Sequence, residues 1–128
     1  MSITLNSVVY NWTGFDPSGT SRWSATASRV ASGFSELTNR TTHGMASAQG
    51  KSSLSKVKWL VKIPVVATED SSCGCVGTVL RTSYVSVVAD FGATATAAER
   101  ADSLARLRSL VLTTEFENSW NNLAQPAG

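Results

Sequence analysis

The chain has 128 residues, a formal net charge of +2, 42% apolar residues and 16% charged ones, values of a globular protein that exclude a disordered tail. Its opening residues, MSITLNSVVY, hold neither a basic stretch nor a continuous apolar one, and no run approaches the roughly 18 apolar residues of a membrane span; the expectation is a soluble, cytoplasmically made protein with no membrane partner. Cys73 and Cys75 are the only cysteines, so packing rather than internal disulfides must hold the fold, and a chain this short buries only about two thirds of its unfolded surface, which favours an oligomer.

The first two thirds read as strands. Ile3–Tyr10 is rich in β-branched residues, and Gly14, Asp16, Pro17, Ser18 and Gly19 supply turn chemistry before Ser21–Ala27, which predicts an N-terminal hairpin. Phe34–Thr38 is a short candidate strand, and Thr42–Gln49 a weaker one because Gly44 and the alanines have little strand propensity. Lys56–Ile63 alternates cleanly: Val57, Trp59, Val61 and Ile63 fall on one face, and Lys56, Lys58, Leu60 and Lys62 on the other. Pro64 removes a backbone donor, Thr68–Gly77 reads as a surface loop, and Val79–Ala89 resumes alternation with Val85, Val87 and Ala89 opposite Tyr84, Ser86 and Val88.

After Gly92 the period becomes helical. Thr96 and Glu99 have capping-box spacing, and Leu104, Leu107 and Val111 recur at i, i+3 and i+7, predicting a helix over Ala97–Leu112. Thr114 and Glu117 repeat the spacing, and Phe116, Trp120 and Leu123 form the apolar stripe of a second helix before Pro126. An antiparallel meander followed by two helices is an α+β arrangement in which the helices cover one sheet face, leaving the lysine face open.

Charge is unevenly divided. Arg40, Lys51, Lys56, Lys58 and Lys62 meet no Asp or Glu between positions 40 and 62, a local +5 that can attract a polyanion. Lys56, Lys58 and Lys62 share one side of a strand that advances about 6.6 Å per two residues, a spacing able to follow phosphates, or else form a solvated face. Tyr84, on the same open side as Ser86, can stack on an unpaired base or cover the lysine stems. Among Arg100, Arg106 and Arg108 lie Glu99 and Asp102, so that helix reads as a solvated exterior. His43 is the only histidine; no metal cluster, cofactor motif or acid, base and nucleophile set can be assembled, and no enzyme is expected.

Three stretches, KVKWLVKIPVVAT (56–68), LRTSYVSVV (80–88) and TAAERADSLARLRSLVLTTEFENSWNNLAQP (96–126), resemble the coat proteins of the small single-stranded RNA bacteriophages, the levivirus group. The likeness covers about the last 75 residues closely and the first 50 by element order, and includes an Arg-x-x-Tyr element, Arg81 to Tyr84. The resemblance implies a single coat-protein domain over 1–128: an N-terminal hairpin within 1–30, a five-stranded antiparallel sheet within 31–92 with a long loop at 65–78, and two dimerisation helices within 96–124. It implies an interlocked homodimer with one continuous sheet, its helices gripping the partner through Leu104, Leu107, Val111, Phe116 and Trp120. Such dimers build an icosahedral T=3 shell around genomic RNA, a virion assembled in the bacterial cytoplasm.

On the inner sheet face the resemblance implies RNA contacts from Lys56, Lys58, Lys62, Tyr84 and Ser86, with Tyr84 stacking on a loop base of a hairpin whose binding represses replicase translation. Relatives hold unpaired adenines in small polar pockets; the corresponding stretch here, Gly44, Ala46 and Ala48, is small but mostly apolar, and Leu60 replaces a polar residue. Ala46 is nevertheless counted with the RNA contacts. Cys73 and Cys75 fall in the loop that lines the symmetry axes, where they form cross-subunit disulfides or remain free thiols. The alternative from another class is a non-viral dimeric RNA-binding regulator that forms no particles.

Overall fold

A computed structural model describes residues 1–26, 33–45, 54–67 and 77–127. Six strands, β1 (Ser2–Leu5), β2 (Val8–Phe15), β3 (Ser21–Ala25), β4 (Ser35–Thr42), β5 (Ser55–Val66) and β6 (Val79–Phe91), precede helices α1 (Ala97–Val111) and α2 (Thr114–Asn122). The strands form one antiparallel sheet in sequence order, β1-β2-β3-β4-β5-β6. The α+β class, antiparallel sheet and two C-terminal helices match the sequence expectation, but the sheet has six strands rather than five.

The extra strand arises inside Ile3–Tyr10. Asn6 and Ser7 both adopt left-handed backbone, φ 45° and 66°, the geometry of a two-residue hairpin turn. They fold β1 back on β2 with Ile3 opposite Tyr10. The expected hairpin also exists, as β2 against β3, but it is continuous with the main sheet. A bulge separates the Trp12–Trp23 pair from Gly14–Arg22, and Gly14 carries φ 119°, open to residues without a Cβ.

The second correction concerns β4, which runs unbroken from Ser35 to Thr42, whereas His43, Gly44 and Met45 are not strand. The rest of the weaker expected strand, Ala46–Gln49, lies outside the described residues. Strand β5 continues through Pro64, beyond the last β4 partner at Lys62. There β5 is flanked on one side only, and a missing N–H is tolerated as on an edge strand. Beyond it the Ala67 N–H donates to the Thr78 carbonyl at 2.8 Å and the Gly77 N–H to the Ala67 carbonyl at 3.0 Å.

The core lies on one face of the N-terminal strands. Tyr10, Trp23, Ala25 and Leu37 are buried, with Ile3, Trp59 and Val61 packed against them. Aromatic rings run across this face: Phe15 to Trp12 at 5.1 Å, Trp12 to Trp23 at 5.1 Å, and Trp23 to Trp59 at 5.8 Å, each such pair contributing roughly 0.5–1.5 kcal/mol beyond area burial. The Ser35 hydroxyl donates to the Lys62 carbonyl at 2.7 Å. Its single proton being used, the Tyr10 hydroxyl is the donor in their 2.8 Å contact. This relay ties β2, β4 and β5 together.

Helix α1 starts as its sequence dictates. The Glu99 N–H donates to the Thr96 hydroxyl at 3.2 Å and the Thr96 N–H to the Glu99 carboxylate at 3.1 Å, a complete capping box. Helix α2 is capped one residue earlier than its spacing suggests: Thr113, not Thr114, accepts from the Phe116 N–H at 3.2 Å. Neither helix buries any residue, so the expectation that they cover a face of their own sheet fails. No described helix is long and apolar enough to cross a membrane.

Candidate nucleic-acid interface

Because the ladders align without a slip from residue 55 to 65 of β5, alternation sorts the side chains into rows across the sheet. On the face opposite the core the rows read Ser24, Glu36, Lys62, Tyr84; then Arg22, Thr38, Leu60, Ser86; then Arg40, Lys58, Val88; then Thr42, Lys56, Asp90. Lys56, Lys58, Lys62, Tyr84 and Ser86 therefore share one face, as their spacing predicts. Ala46 and Ala48 lie outside the described residues, as do Cys73 and Cys75. Gly44 is described: its N–H donates to the Ser55 hydroxyl at 2.8 Å.

Two cations on this face escape the sequence reading as site residues, Arg22 and Arg40. The expected strand ends at Thr38, so the side to which Arg40 belongs is not legible, and Arg22 is hidden in a short segment between Ser21 and Trp23. Their strand partners settle it: Arg22 stands opposite Thr38 and Arg40 opposite Lys58.

The five cations are not equivalent. Lys56 lies 3.6 Å from the Asp90 carboxylate and Arg22 3.8 Å from that of Glu36. Both pairs are substantially exposed and contribute little to stability, yet each places a negative charge beside its cation. Arg40 and Lys58 face each other directly, a like-charge juxtaposition that disfavours the empty face, and among the described residues neither has a carboxylate within ion-pair reach. The Arg40 guanidinium instead donates to the Ser18 carbonyl in the turn between β2 and β3. Asp16 fixes that turn, accepting from the Ser18 N–H at 2.9 Å, the Ser18 hydroxyl at 2.6 Å and the Thr20 N–H at 3.0 Å. The Ser18 hydroxyl, then the Thr20 N–H, hold the Asp16 carboxyl below its ordinary 3.8.

Tyr84 presents a ring that is 64% exposed, across the strand pair from Lys62. Half-buried Leu60 separates Lys58 from Lys62 and stands opposite Ser86. The surface thus combines cations, an exposed aromatic and small hydroxyls, donors suited to phosphate and a ring suited to an unpaired base.

The other face is different in kind. Leu104 and Leu107 of α1 line an open groove of about 420 Å³ together with Val57, Trp59, Val87, Ala89 and Phe91. Val111, Phe116 and Trp120 line a second hollow with Leu112, between the helices, the rings of Phe116 and Trp120 stacked at 5.5 Å. Beside the groove runs β6, thirteen residues long and paired among the described residues only with β5, so that no described strand takes up the backbone donors and acceptors of its other edge. The arginines of α1 are engaged locally: Arg106 meets Asp102 at 2.8 Å and Arg100 donates to the Ala95 carbonyl at 2.7 Å.

A family model described as levivirus coat protein matches residues 6–124. Among solved structures, the virus-like particle of Beihai levi-like virus 21 superposes with a TM-score of 0.81 at 18% identity, covering 99% of this chain and 97% of that one. The virus-like particle of bacteriophage ESE058 gives 0.78 at 15% identity, covering 99% and 95%, and that of bacteriophage NT-214 gives 0.77 at 16%, covering 99% and 95%. No curated protein sequence matches the chain.

Proposed function

The chain belongs to the levivirus coat protein family, whose members are structural rather than enzymatic, and from that premise we propose that it acts as a dimeric capsid subunit that encloses single-stranded RNA. The observation that carries the proposal is the free β6 edge, which borders an uncovered apolar groove on one face and a basic surface on the other. A second copy pairing its own β6 along this edge satisfies the unpaired backbone groups and doubles the sheet. Its helices then bring Leu104, Leu107, Val111, Phe116 and Trp120 against the apolar lining of that groove.

Dimers of this kind build a closed icosahedral shell, the helices outward and the basic face toward the genome. This reading places the protein in the virion. Lys56, Lys58 and Lys62 hold RNA phosphates, and each phosphate neutralised adds a salt-dependent, sequence-independent term. Tyr84 stacks on an unpaired base, with Ser86 beside it, and a hairpin bound there represses translation of the replicase.

Purified protein examined by electron microscopy will show RNA-filled particles; free dimers alone under every RNA and salt condition would overturn the shell. Tyr84→Ala is expected to weaken a specific genomic hairpin by about 1–3 kcal/mol while bulk RNA content stays unchanged. Equal losses for hairpin and bulk RNA would refute a base-reading role.

A further inference from the structure

Resting on the proposed RNA-binding role of this face, we infer that Arg40 and Lys58 form its phosphate anchor, and that Asp90 and Glu36 hold Lys56 and Arg22 in reserve. The face therefore binds RNA through part of its positive charge. Five cations share it, but Lys56 has Asp90 at 3.6 Å and Arg22 has Glu36 at 3.8 Å. Glu36 also stands opposite Lys62, which dampens the field at that end of β5. Arg40 and Lys58 are the directly opposed pair to which no described carboxylate is bonded. A phosphate between them relieves their repulsion and gains a guanidinium fork on one side and a mobile ammonium on the other.

The position of Arg40 strengthens the assignment. Its guanidinium is already tethered to the Ser18 carbonyl, so less side-chain freedom is lost when it meets a phosphate. From the anchor, the ring of Tyr84 lies two rows along and one strand across, about 13 Å along the strand direction. Leu60, Val88 and the small Ser86 are the side chains of this face between them, the first two apolar. A path that starts on two cations, crosses aliphatic surface and ends on an exposed ring suits unpaired nucleotides, whose bases can lie on it. A duplex keeps its bases stacked inside and gains only the anchor. The ligand class is thus a short unpaired RNA segment.

The test is the salt dependence of binding, measured by fluorescence anisotropy on full-length protein freed of RNA, with a 20-nucleotide oligo(U) and a 20-base-pair RNA duplex as probes. On oligo(U), Arg40→Gln and Lys58→Gln are each expected to lower the slope of log K against log salt by about 0.7, the share of one phosphate on a single strand. Lys56→Gln is expected to lower it by clearly less, because Asp90 already offsets part of that charge. Asp90→Asn, which frees Lys56, is expected to raise it by up to about 0.7, and oligo(U) should bind more tightly than the duplex. Without RNA, Lys58→Gln should raise the melting temperature, a readout that shows the variant is folded. Lys56→Gln costing as much as Lys58→Gln, or Asp90→Asn changing nothing, would overturn the anchor while leaving the RNA face standing. If the triple variant R40Q/K58Q/K62Q binds oligo(U) like the parent, the RNA face itself is refuted and the anchor with it.

Discussion

The N-terminal four strands and the remainder of the chain are built to different degrees of completion. Strands β1 to β4 supply Tyr10, Trp23, Ala25 and Leu37, all buried, and among the described residues only Ala67 is buried beyond them. Strand β5 lends Trp59 and Val61 to that core, but β6 and both helices keep apolar side chains in the open: Val88 is 49% exposed, Leu110 51% and Trp120 52%. One region finds its partners within the chain. The other carries an apolar stripe, a groove and an unpaired edge, the features of half an interface. The lesson is that the two regions differ in what they fail to bury, and the proposed dimer contact falls on the one left incomplete.

That contrast predicts distinct failures. Trp23→Ala removes the centre of the aromatic row and is expected to cost about 3–5 kcal/mol, unfolding the whole chain in urea titration at any protein concentration. Trp23→Phe should cost clearly less, because the buried indole N–H has no hydrogen-bond partner and its removal relieves an unsatisfied donor. A smaller loss for Trp23→Ala than for the helix variant below would invert the comparison. Trp120→Ala, by contrast, removes half of the exposed Phe116–Trp120 stack and should leave a monomer folded. If it is an interface anchor it weakens self-association by about 2 kcal/mol or more, roughly 30-fold, visible in sedimentation velocity. Unchanged association would mean that the open stripe of α2 does not mark the contact.

Thr96→Ala touches the incomplete region through its local structure. Loss of both capping-box bonds should lower stability by about 1 kcal/mol and reduce helical circular dichroism near the start of α1, with little effect on the N-terminal core. This cap was legible because its chemistry is local: Thr96 and Glu99 are three residues apart, and nothing distant decides whether they bond. The faces of β5 and β6 were legible for the same reason, since alternation in KVKWLVKI requires no partner. What was not legible depended on geometry beyond the window. The Asn6–Ser7 turn lacks the glycine that usually marks such a hairpin, so β1 and β2 read as one strand. Arg40 could be assigned to a face only once Lys58 stood opposite it. The helices' failure to cover their own sheet also eludes periodicity, which gives the apolar stripe but not the chain it meets. On the candidate site, sequence supplied the residues of β5 and β6 and missed the β3 and β4 cations, because inter-strand register is a tertiary fact.

The smallest expected effect lies at the turn that tethers Arg40. Hydrogen bonds from the Ser18 hydroxyl and the Thr20 N–H favour the charged carboxylate of Asp16, so its folded pKa sits below the ordinary 3.8. A depressed carboxylate adds stability above the unfolded value and loses it as pH falls through the folded one. Asp16→Ala should therefore lower the melting temperature slightly at neutral pH, and the difference from the parent should shrink progressively below about pH 4. Because the group stays in contact with solvent, the decrement stays well under that of Thr96→Ala. It should also loosen the Ser18 carbonyl that accepts from Arg40, so oligo(U) affinity falls modestly at neutral pH while the salt slope, which counts charges on the face, does not change. A variant whose slope drops as far as that of Arg40→Gln would show that the turn governs whether Arg40 reaches the phosphate at all, rather than only how it is held.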